Sequence, residues 1–303
     1  MFEAPIRWRK RGLIIRPDPR RWWMRTHAML PTPAPLGDGL YRIYFSGRND
    51  RNQSHIGWAL IDIAEPERVL DVSVEPVLAP GALGCFDDNG VSPSCVVKVD
   101  GRTFLYYIGW NPRSTVRMSL FGGLAISDDD GKTFERWSRA PIIERCRTDP
   151  YLNTAPFVLP GAAEWRMYYV SGVGWDDPDT PRYNIKTAVS DDGRHWRRDG
   201  RVCIDFAAPA EKALARPYVL RENGVYKMWF AHKGRAYRLG YAESEDGVTW
   251  HRRDELAGID VSNEGFDSDM IEYAAVVSHD GAKFMFYNGN DYGRDGIALA
   301  VET

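Results

Sequence analysis

The 303-residue sequence lacks the features that mark several common classes of protein. No apolar run approaches the ~18 residues of a membrane-spanning helix. The N-terminal segment MFEAPIRWRKRG has no apolar core of a secretory signal peptide. We therefore expect a cytoplasmic protein with no membrane partner. The net charge of −3 is spread over interspersed acidic and basic residues, which argues against nucleic acid binding.

The cysteines and the short catalytic motifs exclude further classes. Cys85, Cys95, Cys146 and Cys203 form no CxxC pair, so neither a zinc site nor a disulfide framework is expected. The sequence contains no GxGxxG, P-loop, HExxH or GxSxG motif, which argues against nucleotide binding, zinc-protease and serine-hydrolase chemistry. We expect no metal and no cofactor.

Aromatic residues are abundant, and they recur at regular intervals. The chain has 11 Trp, 15 Tyr and 12 Phe, and five aromatic segments align on Tyr44, Tyr106, Tyr168, Trp229 and Phe286, at spacings of 62, 62, 61 and 57. A second β-rich run lies ten residues before each of the last four anchors, and a turn signal separates the two runs. Another run follows each anchor. This pattern predicts five repeats of a unit of four antiparallel strands.

Such a repeat predicts an all-β fold, and four-stranded blades arranged radially in a five-bladed β-propeller are its natural form. We expect one domain over residues 1–303. Its blades are expected at about 22–80, 86–145, 150–205, 211–260 and 266–301. The last blade has only three strands, and WRKRGLIIR at the N-terminus matches WSRAPIIER in the second blade. The N-terminal strand, residues 8–16, is therefore predicted to complete the last blade and close the ring.

One polar hairpin sequence occurs three times, as SDDDGKTF (Ser127–Phe134), SDDGRHW (Ser190–Trp196) and SEDGVTW (Ser244–Trp250). It is expected to join the third and fourth strands of a blade. Gly supplies a positive φ, while Asp and Ser bond nearby backbone amides. The hairpin resembles the Asp-box of sialidases, which is a structural turn, so it indicates a propeller and carries no chemistry.

Polar segments lead into the predicted innermost strands, which converge on a central funnel in a propeller. A charge buried there without a partner costs several kcal/mol, so the polar character of these segments indicates a ligand site. The candidate catalytic carboxylates are Asp88, Asp149, Asp269 and Glu272. The candidate substrate-binding residues are His27, Trp110, Asn153, Glu211, Arg216, Asp267 and Tyr273. Like charges crowd the segment from Asp267 to Glu272, and this crowding is expected to raise at least one pKa.

The main candidates also have structural interpretations, which the sequence leaves open. Asp88 can cap the turn at Asn89-Gly90, and Asp149 can initiate a turn before Pro150. Glu211 can form an ion pair with Arg216 that has no chemical role. His27 can be a hydrogen-bonded core histidine.

The repeat as a whole resembles a known group of enzymes. The segments DGRTFLYYIGW, RPYVLRENGVYKMWF, YRLGYAESEDGVTW and FDSDMIEYAAVVSHDGAKFMFYNGNDYG are similar to those of the five-bladed propeller glycosidases. These are glycoside hydrolase families 43, 62, 32, 68 and 130, with glycosyl hydrolase-like relatives from bacterial polysaccharide gene clusters. The resemblance runs from Trp8 to Val301. It implies acidic residues in the funnel, one protonating the leaving oxygen and another activating water or attacking carbon.

The catalytic set of those families transfers only in part. Glu272 lies where family 43 has its general acid, although Tyr-Ala-Ala follows it instead of Gly-Pro. Arg216-Pro217 lies where families 32 and 43 carry Asp-Pro, and Ser92-Pro93 and Ala155-Pro156 also lack the acid. Asp88, Asp149, Glu211 or Asp269 would then have to act from shifted positions.

Three functions remain open, and all take an oligosaccharide or another small-molecule ligand. The first is a glycoside hydrolase or phosphorylase, with Glu272 or Asp269 as the acid and Asp88 or Asp149 as the base. In the phosphorylase, Arg216, Lys212 and His27 would bind phosphate. The second is a non-catalytic carbohydrate-binding propeller. The third is a cyclase, lyase or transferase on the same scaffold, because fold does not determine function.

Overall fold

The computed structural model describes residues 6–303, and the predicted all-β class is confirmed. The strands of this region are β1 (Trp8–Ile15), β2 (Thr26–Gly37), β3 (Leu40–Arg48), β4 (Ser54–Asp62), β5 (Val69–Val72), β6 (Gly90–Val99), β7 (Arg102–Pro112), β8 (Met118–Ser127), β9 (Glu135–Arg136), β10 (Asn153–Leu159), β11 (Trp165–Asp177), β12 (Thr180–Ser190), β13 (Val202–Ile204), β14 (Ala213–Glu222), β15 (Val225–Lys233), β16 (Tyr237–Ser244), β17 (His251–Arg252), β18 (Glu272–His279), β19 (Ala282–Asn288) and β20 (Ile297–Glu302).

Helical structure is confined to two single turns in the described chain. These are a 3₁₀ turn at Asp254–Leu256 and α1 at Asn290–Gly293. No helix within residues 6–303 has the length and apolar character needed to cross a membrane.

The strands pair as five antiparallel units of four. Units one to four run in chain order as β2–β5, β6–β9, β10–β13 and β14–β17. The fifth unit contains β18, β19 and β20, and its fourth strand is β1 from the other end of the chain. The β1 pairing extends from Trp8 opposite Glu302 to Ile15 opposite Ile297. β1 therefore covers the edge of β20 that would otherwise be open.

The first strands of the units bring all five units together. β2, β6, β10, β14 and β18 contact one another in this order, and β18 also contacts β2. Single parallel pairs, such as Ser54 opposite Gly90, join the start of one unit's first strand to the preceding unit. The starts of the five first strands consequently surround one common space.

The three polar hairpins fold as local turns, and each also ties its unit to the preceding one. In the first hairpin the Ser127 hydroxyl accepts the Gly131 amide at 2.8 Å, and Asp129 accepts the amides of Lys132 and Thr133 at 2.9 Å. The Gly131 carbonyl in turn accepts the hydroxyl of Tyr44, 87 residues away, at 2.7 Å. The same bond recurs from Tyr106 to Gly193 and from Tyr168 to Gly247, at 2.8 Å each.

The aromatic residue that ends each hairpin packs against the tyrosine whose hydroxyl bonds to that hairpin. Trp250 meets Tyr168 edge-on, with ring centroids 5.4 Å apart. Phe134 meets Tyr44 at 5.7 Å in the same way. One repeated sequence therefore supplies both a turn and a contact between neighbouring units.

Candidate functional site

A cavity of about 260 Å³ opens where the five first strands begin. Every unit contributes to the lining from a corresponding stretch of its first strand, and the corresponding residues are Leu30, Ser92, Ala155, Arg216 and Tyr273. We call this space, bounded by these five residues, the five-unit cavity.

A break in the strand ladder directs these side chains into the cavity. The register shifts at Arg216, between Ala215 and Tyr218, and the other first strands are irregular at or close to the corresponding point. Leu30, Ala155, Arg216 and Tyr273 have φ values of 59°, 49°, 54° and 58°. A non-glycine residue in this region costs about 1–2 kcal/mol, so the surrounding packing holds the bulge in place.

Four cations lie on the cavity wall. Arg48 is the last residue of β3 and Lys233 the last of β15, while Arg117 directly precedes β8. Arg216 rises from the bulge of β14 and is only 1% exposed. Asp179, in the exposed turn between β11 and β12, is the one carboxylate among the described lining residues.

Tyrosines form one side of the cavity. The hydroxyls of Tyr183 and Tyr237 lie 2.6 Å apart, and Tyr237 packs against Tyr273 and Tyr292 at centroid distances of 6.1 and 6.3 Å. Lys233 donates to the Tyr292 hydroxyl at 3.2 Å. This wall offers hydroxyl groups and aromatic faces of the kind that sugar rings contact.

Glu272 lies directly behind the tyrosine wall and is 0% exposed. Neither of its carboxyl oxygens has a hydrogen-bond partner within the described part of the chain. Burial raises the pKa of Glu272 well above its ordinary value, and the Tyr273 hydroxyl and the Lys233 charge offset only part of this effect. Because an ionised carboxylate without partners is costly in such a place, the surroundings of Glu272 favour its protonated form.

The structure brings four of the sequence-predicted site residues together. Arg216, Tyr273 and Trp110 line the cavity, and Glu272 lies next to them. The indole nitrogen of Trp110 is buried without an acceptor in residues 6–303. Arg216 forms no ion pair with Glu211, so this structural interpretation of the two residues does not apply.

Three predicted acids, Asp149, Glu211 and Asp267, lie elsewhere, in a contact that Asp87 also makes in the second unit. Each is buried before or near the start of a first strand and pairs with a cation from the fourth-strand segment of the same unit. We call this contact the clasp. The clasps are Asp87 with Arg136 (2.8 Å), Asp149 with Arg198 (3.1 Å), Glu211 with Arg252 (2.7 Å) and Asp267 with Lys10 (2.7 Å).

Two of the clasp acids, Asp149 and Glu211, have pKa values below their ordinary range. Burial alone raises the pKa of Asp149, but hydrogen bonds from Lys186 and Tyr169 outweigh it and lower the value. Burial likewise opposes ionisation of Glu211, while Arg252 and His232 hold its pKa at about 2. None of these acids lines the five-unit cavity. These acidic residues are therefore explained by the ion pairs that stabilise each unit.

The remaining predicted residues also lie outside the cavity lining. Asp88 accepts the Gly84 amide at 2.8 Å and the Asn111 side chain at 2.6 Å, and Asp269 is exposed. The side chain of Asn153 is satisfied by the carbonyls of Glu144 and Asp149 and by Ser171. His27 is half-buried near the cavity, where burial and the charges of Arg48 and Arg294 lower its pKa to about 4.

The sequence analysis missed two lining residues, Arg48 and Lys233, for which the repeat contains a signal. Each stands four residues after the aromatic anchor of its unit, as the predicted residue Trp110 does. The position four residues after the anchor lies at or near the end of the second strand, and this end also reaches the cavity. Arg117, Asp179 and Tyr292 come from loops that follow no repeated spacing.

Comparison with other sequences finds relatives of nearly the same length. No protein-family model matches the chain. Uncharacterized protein Rv1502 of Mycobacterium tuberculosis strain ATCC 25618 / H37Rv is 44% identical over 295 residues, which cover 97% of this chain and 98% of the relative. Uncharacterized protein MT1551 of strain CDC 1551 / Oshkosh matches with the same identity and coverage.

Solved structures of carbohydrate-active enzymes share the fold. A complex of BT0996 with RGII has a TM-score of 0.77 at 20% identity, covering 99% of this chain and 92% of that protein. A thermostable family-43 glycoside hydrolase has 0.65 at 15%, covering 91% and 89%. A structure from the GH130 family of mannoside phosphorylases has 0.74 at 13%, covering 99% and 95%. The resemblance to these glycosidase-like proteins, predicted from the sequence, is confirmed at the level of fold.

Proposed function

The chain belongs to the same protein family as Rv1502 of Mycobacterium tuberculosis, and we propose that it is an enzyme that cleaves a glycosidic bond in the five-unit cavity. The observation that carries the proposal is the buried, partnerless carboxyl of Glu272 beside a cavity lined with tyrosines. A general acid has to be protonated at the working pH, and burial provides this at Glu272. Similarity in fold to glycoside hydrolases and to a phosphorylase family supports the same reaction class.

In this proposal Glu272 is the proton source for the leaving oxygen. Tyr273 lines the cavity and directly follows Glu272 in the chain, so it is the group proposed to pass the proton forward. Asp88, Asp149 and Asp269 are left out of the catalytic set. Asp88 accepts a hydrogen bond in a turn, and Asp149 forms an ion pair in a clasp. Asp269 is exposed and does not line the cavity.

The second reacting group distinguishes hydrolysis from phosphorolysis. Hydrolysis requires a second carboxylate that activates water or attacks carbon, and Asp179 is the candidate on the cavity rim. Phosphorolysis requires no such base, because the phosphate itself is the nucleophile. The cations of the cavity wall would then hold the phosphate.

We also propose that the five units form one closed five-bladed propeller, whose axis passes through the five-unit cavity. The order of contacts among the first strands, with β18 returning to β2, supports this arrangement. The completion of the fifth unit by β1 supports it as well.

The test is product release from a panel of oligosaccharides and aryl glycosides, with and without inorganic phosphate. Glu272→Gln is expected to lower kcat on the cleaved substrate about a hundredfold or more, which is the usual range for a general acid. Glu264→Gln, a matched change at an exposed glutamate, is expected to have no effect. Asp179→Asn abolishes hydrolysis but leaves phosphorolysis intact. Full turnover by Glu272→Gln would contradict the proposal.

A non-catalytic carbohydrate-binding protein is the second candidate. It is favoured by the complete burial of Glu272 and by the engagement of the other predicted acids in clasps and turns. Saturable binding of a saccharide that is never cleaved, by wild type and Glu272→Gln alike, would establish it.

A further inference from the structure

The cations of the five-unit cavity lack the carboxylate partners that the clasp cations have. Lys10, Arg136, Arg198 and Arg252 all pair with clasp carboxylates. In contrast, Arg48, Arg117, Arg216 and Lys233 have no carboxylate within 4.0 Å among residues 6–303. Positive charge is thus concentrated in one concave, partly desolvated place.

Arg48 and Arg117 act on each other as like charges. Burial lowers the pKa of Arg48, and the charge of Arg117 lowers it further. The Arg48 guanidinium is held by neutral groups only, the Asn52 side-chain oxygen at 3.1 Å and the Met29 sulfur at 3.8 Å. An anion between the two arginines would remove this repulsion.

Arg216 adds a fully buried charge at the cavity. Its guanidinium donates to the Pro31 carbonyl at 2.6 Å, to the Thr32 hydroxyl at 2.8 Å and to the Ser94 carbonyl. All these acceptors are neutral, and the Nε of Arg216 has no acceptor within the described residues. Burial lowers the pKa of Arg216 to about 10, so the group still carries its charge at neutral pH.

The negative groups nearby do not balance these cations. Asp179 lies on the exposed rim, and the burial of Glu272 behind the tyrosine wall raises its pKa and favours its neutral form. Arg216 is fully buried, Arg48 and Lys233 are partly exposed, and Arg117 is exposed. A buried charge without a counter-ion is strongly unfavourable, so a ligand of the opposite sign would complete the site around Arg216 and its neighbouring cations. Arginine is suited to this role because its fork of donors matches a carboxylate or phosphate.

We propose that the five-unit cavity binds a ligand bearing an anionic oxygen group, a carboxylate or a phosphate, and that Arg48 and Arg117 hold this group while Lys233 and Arg216 supply the surrounding positive field. The inference rests on the proposed function, because it defines the substrate class of that same site. The anionic group is either part of the sugar, as in a uronic acid or a sugar phosphate, or free phosphate. In this arrangement Trp110 and the tyrosine wall contact the uncharged part of the ligand.

The test is calorimetric titration of the full-length protein with four probes: inorganic phosphate, glucose 1-phosphate, glucuronic acid and glucose. At least one anionic probe is expected to bind at least tenfold more tightly than glucose, and its affinity is expected to fall as sodium chloride is raised. Arg48→Gln and Arg117→Gln should each weaken that binding about tenfold. Arg51→Gln, a change at an exposed arginine outside the cavity lining, should leave it unchanged.

The probes also distinguish the source of the anion. Tight binding of inorganic phosphate alone indicates a phosphate co-substrate, whereas tighter binding of glucose 1-phosphate or glucuronic acid indicates an acidic sugar. Glucose binding as tightly as the anions, or unchanged anion affinity in both arginine variants, would overturn the inference. Thermal unfolding of each variant shows whether it is folded.

This inference and the proposed function fail in different ways. Glu272→Gln keeps its anion affinity if the inference is correct, whether or not the protein is an enzyme. Anion binding without cleavage of any glycoside would leave the inference standing and remove the function. Cleavage of neutral glycosides by the arginine variants at the wild-type rate would leave the function and remove the inference.

Discussion

At the scale of single residues, two fully buried carboxyls show how surroundings decide charge. Asp149 and Glu272 are both 0% exposed. Asp149 receives hydrogen bonds from Lys186, Arg198 and Tyr169 and is ionised. Glu272 receives none in the described chain, and burial raises its pKa well above the ordinary value. Burial alone therefore does not determine the charge of a carboxyl group, because its hydrogen-bond partners and nearby cations can outweigh the effect of burial.

The raised pKa of Glu272 predicts a specific dependence of stability on pH. The unfolded chain loses this proton near the ordinary value of 4.5, while the folded protein retains it to higher pH. Above about pH 4.5 the folded state therefore binds more protons than the unfolded state, and stability falls as pH rises. Glu272→Gln should remove this loss, so its melting temperature should rise relative to the wild type between pH 4 and 8. Parallel melting curves for the two proteins would contradict the prediction, and Glu264→Gln is the control.

The sequence predicts some site residues well and others poorly, for a reason that lies in the backbone. Glu272, Tyr273 and Arg216 follow from the register of the repeat. The same reasoning includes Asp149 and Asp267, which the structure places in clasps. Side chains alternate between the two faces of a regular strand, but a positive φ breaks this alternation. The repeat locates the segments, whereas the bulge decides which side chain enters the cavity.

At the scale of elements, the polar hairpins do more than turn the chain. The turn itself is predictable, because Ser, Asp and Gly satisfy it within eight residues. The bond from Tyr168 to the Gly247 carbonyl is not, because its two ends lie 79 residues apart. Such bonds and the edge-on aromatic contacts couple units one to four in succession, so these units are expected to unfold together.

Removal of one hairpin bond should lower the stability of the whole protein. Tyr168→Phe leaves the buried Gly247 carbonyl without its partner, which costs about 1–3 kcal/mol. Chemical denaturation should show a lower midpoint with an unchanged slope and one transition. Tyr151→Phe, a change at an exposed tyrosine, is expected to have little effect. A second transition in Tyr168→Phe would show that the units unfold separately.

At the scale of the whole molecule, both ends of the chain meet in the fifth unit. β1 pairs with β20, and Lys10 of β1 bonds to Asp267 at 2.7 Å. The other clasps join residues that are close in the chain, such as Glu211 and Arg252, which are 41 apart. The Lys10 clasp joins residues 257 apart, so it stabilises the pairing of the N-terminal strand with the fifth unit.

This closing clasp predicts a double-mutant cycle. Lys10→Met leaves the buried Asp267 carboxylate without its cation and should cost about 2–4 kcal/mol, less than a fully buried pair because Lys10 is partly exposed. Lys10→Met combined with Asp267→Asn should recover part of the loss, because no unpaired charge remains. Denaturant midpoints measure both, with Lys132→Met as the control at an exposed lysine. Equal losses in the single and the double variant would contradict the prediction.

The bulge in each first strand has a consequence for how such a protein can change its specificity. The backbone conformation at the bulge is set by the strand ladder on either side, and clasps and hairpins supply much of the cohesion. The five positions already hold five different residues, Leu30, Ser92, Ala155, Arg216 and Tyr273. Exchanging them one at a time changes the chemistry of the cavity while the architecture persists. A scaffold made of repeats can therefore evolve toward new ligands at five separate points.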